Sequence, residues 1–405
     1  MRQDSVVVLD SGGCTCKVGF AGHTTPQVFP NCTARAKGVR QSLIGQQLLE
    51  GQDVSALKLR RPVDRGYVVS WDLEREIWNH AFTILSNAEP ATSGLLLTEP
   101  MFSLPAMQEA VQQVVFEDFG FQSLCSCPAP LLSLQHMKDT AQPLPAHQAG
   151  CALVLDAGFS FTHAVPIFSN VVLDSGVRRQ NLGGKVLTNY LKELVSYRSV
   201  NLMEETYLVE HIKDAVCFVS DDLRADLKAA QQSSSPHRME YVLPDGLTNL
   251  KGFARTPELL VRGKHAGPIQ PAKELAVALN NERFLVPELL FHPSDISLPQ
   301  AGVAELIYDA VNAVHPDLHG LLYSNIILSG GTCCCPGFRD RLLTELRPLV
   351  PDRFDLNVSM PDNPITCAWQ GGSSFAATPD YFEMALTKHE YEEQGFERLQ
   401  RMSSA

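Results

Sequence analysis

A chain of 405 residues is too long for a single hydrophobic core and is expected to fold as two domains. Lys plus Arg number 33 against 45 Asp plus Glu, a net charge of −12 that repels nucleic acid and anionic membrane unless a local patch overrides it. Direct DNA binding is therefore not the first expectation, and with no apolar run long enough to span a bilayer and no secretory leader before the first strand, the expected compartment is the nucleus or the cytosol.

The first predicted element is an aliphatic strand from Val6 to Leu9 that ends in Asp10, turns through Ser11-Gly12-Gly13 and returns as a second strand carrying Lys17. The pattern recurs later: Asp156, Gly158 and His163 stand 146 positions after Asp10, Gly12 and Lys17. One hairpin of this kind is a common turn signal, and a lone Asp or His on it is ordinarily a capping or core residue. Repetition in register instead marks a duplicated unit. A Gly-rich turn lets consecutive backbone N–H groups point into one concavity and bind an anion, so two turns face to face would clamp a nucleotide's phosphates. Asp10 and Asp156, brought together by the pseudo-twofold, would hold a hydrated Mg²⁺. Lys17 would reach the outer phosphates, with His163 opposite it near the γ-phosphate.

Further along, residues 31–61 are weakly periodic and read as a small, mobile appendage. Residues 1 to about 150 form the first half and about 151 to 340 the second, each a mixed sheet covered by helices. The run from Gln231 to Pro236 reads as a flexible linker. A stretch holding Lys251, Arg255, Arg262, Lys264 and Lys273 against Glu258 and Glu274 reads either as a solvated loop or as a docking surface. A third strand, Asn325 to Leu328, ends in Ser329-Gly330-Gly331-Thr332 and can bring bare backbone against a flat adenine ring. Trp71, Trp78 and Trp369 read as core or domain-contact aromatics. The eleven cysteines read as mostly reduced, buried thiols; Cys14 and Cys16, Cys125 and Cys127, and Cys333 to Cys335 lack the paired C-x-x-C of a zinc site.

These three runs, with Phe20-Ala21-Gly22, Arg65-Gly66, Trp71-Asp72 and Leu96-Leu97-Thr98-Glu99-Pro100 in the same order, resemble the actin superfamily over nearly the whole length. The resemblance implies a duplicated α/β fold shared with sugar kinases and heat-shock chaperone ATPases, two lobes around a nucleotide cleft. It implies ATP or ADP with Mg²⁺ as cofactor. Gly13 belongs to the first phosphate loop, Gly183 opens the Gly-Gly-Lys run, Lys213 and Asp214 match the basic and acidic pair beside the adenosine, and Gly330, Gly331 and Thr332 match the purine loop. The tail beyond 340 is expected to pack back on the first lobe, residues 31–61 correspond to a shortened filament-contact loop, and about 247–280 is an insertion.

Within the superfamily, Ser160-Phe161-Thr162-His163, Gly183 to Asn189, Asn281-Glu282-Arg283-Phe284 and Asn363-Pro364-Ile365-Thr366 resemble a nuclear subgroup. Those relatives are structural subunits of SRCAP-type chromatin-remodelling complexes that deposit the Z-type core-histone variant. The implied partners are the remodeller's other subunits, with nucleosome contact through the complex, no membrane and no filaments. Departures from actin imply weak chemistry: Ala129 stands where a Gln orients water, Gly13 replaces a hydroxyl, Phe159 an acid and Ile365 a basic residue. Little or no hydrolysis is expected, with an active ATPase or small-molecule kinase as the alternative.

Overall fold

The computed structural model describes residues 6–36, 42–49, 53–54, 57–85, 88–140, 144–232, 234–257 and 274–394. In the first half, β1 (Val6–Ser11), β2 (Thr15–Phe20), β3 (Gln27–Pro30), β4 (Gly94–Glu99) and β5 (Ser123–Pro128) form one sheet in the order β5-β4-β1-β2-β3, extended at β5 by Leu386–Thr387. The second half repeats it with β6 (Ala152–Ala157), β7 (Thr162–Phe168), β8 (Val171–Val172), β9 (Ile326–Ser329) and β10 (Val358–Ser359), in the order β10-β9-β6-β7-β8. In each sheet the central strand pairs antiparallel with its hairpin partner and parallel with a strand arriving from a distance. A central strand covered on both faces must be apolar throughout, and Val7, Val8, Leu9, Leu153, Val154 and Leu155 are all fully buried.

Two helices join the halves. α1 (Trp71–Ile84) covers the first sheet, α2 (Ala129–Lys138) leads out of it, and α3 (Gly184–Arg198) and α4 (Thr206–Val216) belong to the second half. α5 (Cys367–Ala376) crosses α2 so closely that a Cβ on Gly371 would run into the Leu132 carbonyl, and Trp369 Nε1 donates to the Val8 carbonyl at 3.0 Å. Glycine at the crossing is what lets the two backbones touch. The chain stays with the second sheet through Ser359, Phe338, Leu342 and Leu346 lying in that core, and returns to the first sheet at α5.

The appendage is anchored. Its strands Thr33–Ala36, Leu43–Ile44 and Leu57–Arg60 make a small sheet, and Cys32, Ala34, Leu48, Val54 and Leu57 share a core with Tyr207, Leu208 and Tyr241 of the second half. Residues 37–41, 50–52 and 55–56 of this region lie outside the described residues. Within the basic insertion, Phe253–Arg255 pairs into a sheet with Met239–Val242 and Ala276–Leu279, and Arg255 is taken by Glu240 at 3.1 Å and Glu274 at 2.6 Å. Glu258, Arg262, Lys264 and Lys273 lie outside the described residues. The expected linker from Gln231 to Pro236 is corrected at Ser235, which is fully buried and donates to Asn280 Oδ1 at 2.9 Å. Polar composition suggested a free segment, but a serine with a buried acceptor loses nothing by packing. Eight of the eleven cysteines are buried free thiols.

Candidate functional site

The two hairpins are built alike. Asp10 pairs with Lys17 across the first and Asp156 with His163 across the second. Gly12 N–H donates to the Thr15 carbonyl at 3.1 Å, and Gly158 N–H donates to the Phe161 carbonyl at 2.9 Å, so the same bond closes both turns at the same offset. The turns face each other: a Cβ on Gly13 would lie 2.8 Å from Ser160 Oγ and 3.4 Å from Phe159 Cδ1. The third run closes the floor. Gly330 adopts φ 91°, where a Cβ would run into the Ala157 carbonyl and lie 3.0 Å from Asp156 Oδ1.

Charge in this cleft is unbalanced. Lys17 Nζ sits 2.9 Å from Asp10 Oδ2, and Thr98 Oγ1 donates to Asp10 Oδ1 at 2.8 Å. Among the described residues Asp156 has no such cation of its own; burial, then repulsion from Asp10, pushes its carboxyl up to about 6 against the pull of Lys17. Two carboxylates sharing one ammonium are the charge pattern that a hydrated divalent cation completes. His163 lies between the Phe161 and Phe102 rings, and burial, with Arg179 behind it, holds its imidazole down at about 4, neutral at pH 7. Among the described residues its Nε2 is buried without a hydrogen-bond partner. Glycines that a Cβ would obstruct, an orphaned imidazole nitrogen and an uncompensated carboxylate together fit a phosphate-bearing ligand with its cation.

Gly183 and Thr332 act on the second turn. A Cβ on Gly183 would lie 2.6 Å from the Phe159 carbonyl, the N–H groups of Gly184 and Lys185 donate to the carbonyls of Gly158 and Phe159 at 3.1 and 2.9 Å, and Thr332 Oγ1 donates to the Gly158 carbonyl at 2.8 Å. Lys213 and Asp214, at the C-terminal end of α4, pair with each other. They border the Gly330 loop electrostatically: burial pushes the Cys335 thiol up to about 12 against the pull of Lys213, and burial and Asp214 raise Cys334. Gly331 faces Ile365, whose Cγ1 would be 3.6 Å from an added Cβ. Ala129 begins α2 and offers only a methyl; its carbonyl accepts from Ser133 Oγ at 3.1 Å.

Arg61, Glu210, Glu74 and Asn31 also hold the cleft and were not singled out from the sequence for that role. Arg61 donates through Nη2 to both Glu210 oxygens at 2.8 Å and through Nη1 to the Cys14 carbonyl at 3.1 Å, while its guanidinium lies 4.6 Å from the Phe159 ring centre. One side chain thus joins the first turn, the second turn and α4. It walls a cavity of about 430 Å³ between the appendage and the second half, with Phe159, Lys185, Asn189 and Glu204. Beneath the first turn, Ser11 Oγ and Trp78 Nε1 donate to Glu74 Oε1 at 2.5 and 2.8 Å, and Asn31 Nδ2 donates to the Gly12 carbonyl at 2.9 Å. An acid in the first turn of a helix ordinarily complements the helix dipole at the surface, so nothing in the local pattern marks Glu74 as buried. Away from the cleft, Glu288, His292 and Glu345 are grouped closely enough for a metal, but Arg341 takes both carboxylates, at 2.8 and 2.6 Å.

Comparison with known proteins agrees with this geometry. The Actin family model matches residues 1–403. Actin-related protein 6 of Oryza sativa subsp. indica is 45% identical over 421 residues, covering 98% of each chain. Its counterpart in Arabidopsis thaliana is 43% identical, covering 98% of this chain and 99% of that one. The protein of the same name in Drosophila melanogaster is 36% identical at the same coverage.

Proposed function

Because the chain belongs to the actin family, we propose that it is a nuclear structural subunit of a SRCAP-type chromatin-remodelling complex that deposits the Z-type core-histone variant. In this reading it holds ATP or ADP with Mg²⁺ and hydrolyses it little or not at all. Near full-length similarity to proteins named Actin-related protein 6 supports the subunit assignment. The observation that carries nucleotide binding is the pair of facing turns, each closed by the same backbone bond and each presenting a carboxylate at its strand end.

The roles follow from position. The turns that Gly12, Gly13 and Gly158 shape grip phosphate oxygens through the backbone N–H groups not spent on closing them, Lys17 reaches the outer phosphates, and His163 stands near the γ-phosphate as a neutral imidazole. Asp10 and Asp156 hold Mg²⁺ through water. Gly183, Lys213, Asp214, Gly330, Gly331 and Thr332 shape the nucleoside side. A bound nucleotide supplies a ligand that only the folded, closed chain recognises, and so stabilises the two halves against each other. Ala129 cannot orient a water, and lost positioning and proton handling typically lower a rate by about two to four orders of magnitude. In this reading the chain forms no filaments, which the packing of Cys32, Ala34, Leu48, Val54 and Leu57 into the core of the second half supports. Nucleosomal DNA is met through partners, and membranes are not.

Retention of ATP or ADP by the purified protein through gel filtration, slow phosphate release with Mg²⁺, and recovery of remodeller subunits from nuclear extract are the expected results. Brisk steady-state turnover, above all if stimulated by a metabolite, would refute the structural role in favour of an ATPase or small-molecule kinase.

A further inference from the structure

The first turn carries no side chain at Gly13, where a hydroxyl was expected to be missing from the phosphate clamp. The space is not left open: a Cβ there would lie 2.8 Å from Ser160 Oγ, which comes from the opposite turn. Ser160 breaks the mirror between the hairpins. Its counterpart at the shared offset is Cys14, whose carbonyl is taken by Asn31 N–H at 2.8 Å and by Arg61. Among the described residues, Ser160 Oγ makes no hydrogen bond, although its neighbours' polar groups are engaged: the Phe159 carbonyl by Lys185 N–H, the Gly158 carbonyl by Gly184 N–H and Thr332 Oγ1, and the Phe161 carbonyl by Gly158 N–H. The turn that carries it is therefore fixed on both sides while the hydroxyl itself points at the other turn, half-buried. Lys17 Nζ would lie 3.4 Å from a Cβ on Gly12, so an ammonium and a hydroxyl flank the same two-glycine concavity from opposite lobes.

From this geometry we infer that Ser160 supplies a side-chain hydrogen bond to the phosphate chain of the bound nucleotide, the second lobe donating across the cleft what Gly13 of the first lobe lacks. The inference rests on the nucleotide-binding reading above. Glycine at 13 and serine at 160 are then one coupled choice, because a side chain at 13 would turn the Ser160 hydroxyl away from the place it now occupies. A donor shared between lobes also makes phosphate contact depend on closure, so ligand affinity reports on the distance between the turns.

The test measures binding, not turnover: a fluorescent ATP analogue is titrated by anisotropy into the full-length chain with Mg²⁺, and ATP and ADP are then used as competitors. Ser160→Ala is expected to weaken binding about tenfold, the scale of one hydrogen bond to a charged group. Ser160→Thr, which keeps the hydroxyl, should stay within about threefold of wild type, and so should the exchange G13S/S160G. Thermal denaturation without nucleotide should be the same for wild type and Ser160→Ala, which separates ligand contact from folding. Equal affinities for wild type and Ser160→Ala would overturn the inference while leaving nucleotide binding intact. An exchange variant no tighter than Ser160→Ala would count against the coupling. Wild-type protein that binds neither nucleotide would remove the binding reading and this inference together.

Discussion

Replacing Glu74 by Gln should make this protein more stable at alkaline pH and leave it almost unchanged at acid pH. Burial pushes the Glu74 carboxyl up from 4.5 to about 7, against the hydrogen bonds from Ser11 and Trp78. In the unfolded chain the same group titrates near 4.5, so between about pH 4.5 and 7 the folded protein holds a proton that the unfolded chain does not. Stability therefore falls as pH rises through that window, and above 7 the whole penalty is present. At about 1.4 kcal/mol per tenfold change in proton affinity, the span from 4.5 to about 7 amounts to about 3 kcal/mol. Glutamine carries no charge to bury, its oxygen can still accept from Ser11 and Trp78, and its amide can donate to Asn31 Oδ1, which like Glu74 Oε2 is buried without a partner. The gain at pH 8 should appear as a rise in Tm of about 3–4 °C for a chain of this length, against about 1 °C at pH 5, where the window has only begun to open. Thermal or urea unfolding of both proteins across pH 5–8.5 checks it. Equal offsets at pH 5 and pH 8 would show that Glu74 does not titrate in this window and refute the reasoning.

Two comparisons test the cleft's construction. Gly330→Ala should lose at least about 2 kcal/mol, since φ 91° is unfavourable for alanine and its Cβ meets the Ala157 carbonyl, whereas Gly331→Ala, whose Cβ meets Ile365 at ordinary contact distance, should lose less than about 1 kcal/mol. Denaturant midpoints of the pair decide this. Arg61→Ala strands the buried Glu210 carboxylate and should cost about 3–5 kcal/mol, with part recovered in R61A/E210Q; an unchanged urea midpoint for Arg61→Ala would show that the pair does not tie the halves.

Most of the duplicated fold was legible from the chain alone. Aliphatic runs ending in Asp and followed by glycines specify strand, turn and strand by interactions among contiguous residues, and in a hairpin Asp10 must lie across from Lys17 because their separation is set by the turn. The shared offset then implied a pseudo-twofold without any long-range information. Other features could not be read this way. Arg61 and Glu210 are 149 positions apart, their meeting depends on how the appendage packs on α4, and the periodicity around Arg61 is weak. Glu74 looks like a surface acid until α1 is laid under the first turn, and Ser235 looks like linker until Asn280 arrives beside it. Ser160 and Gly13 are the sharpest case: the sequence marks each within its own turn but not their meeting, and only the approach of the two turns places a hydroxyl beside the position that lacks a side chain. Local sequence determined which segments turn and what charges they carry; the tertiary structure decided which of those groups share one space, because that depends on packing between residues the chain itself keeps far apart.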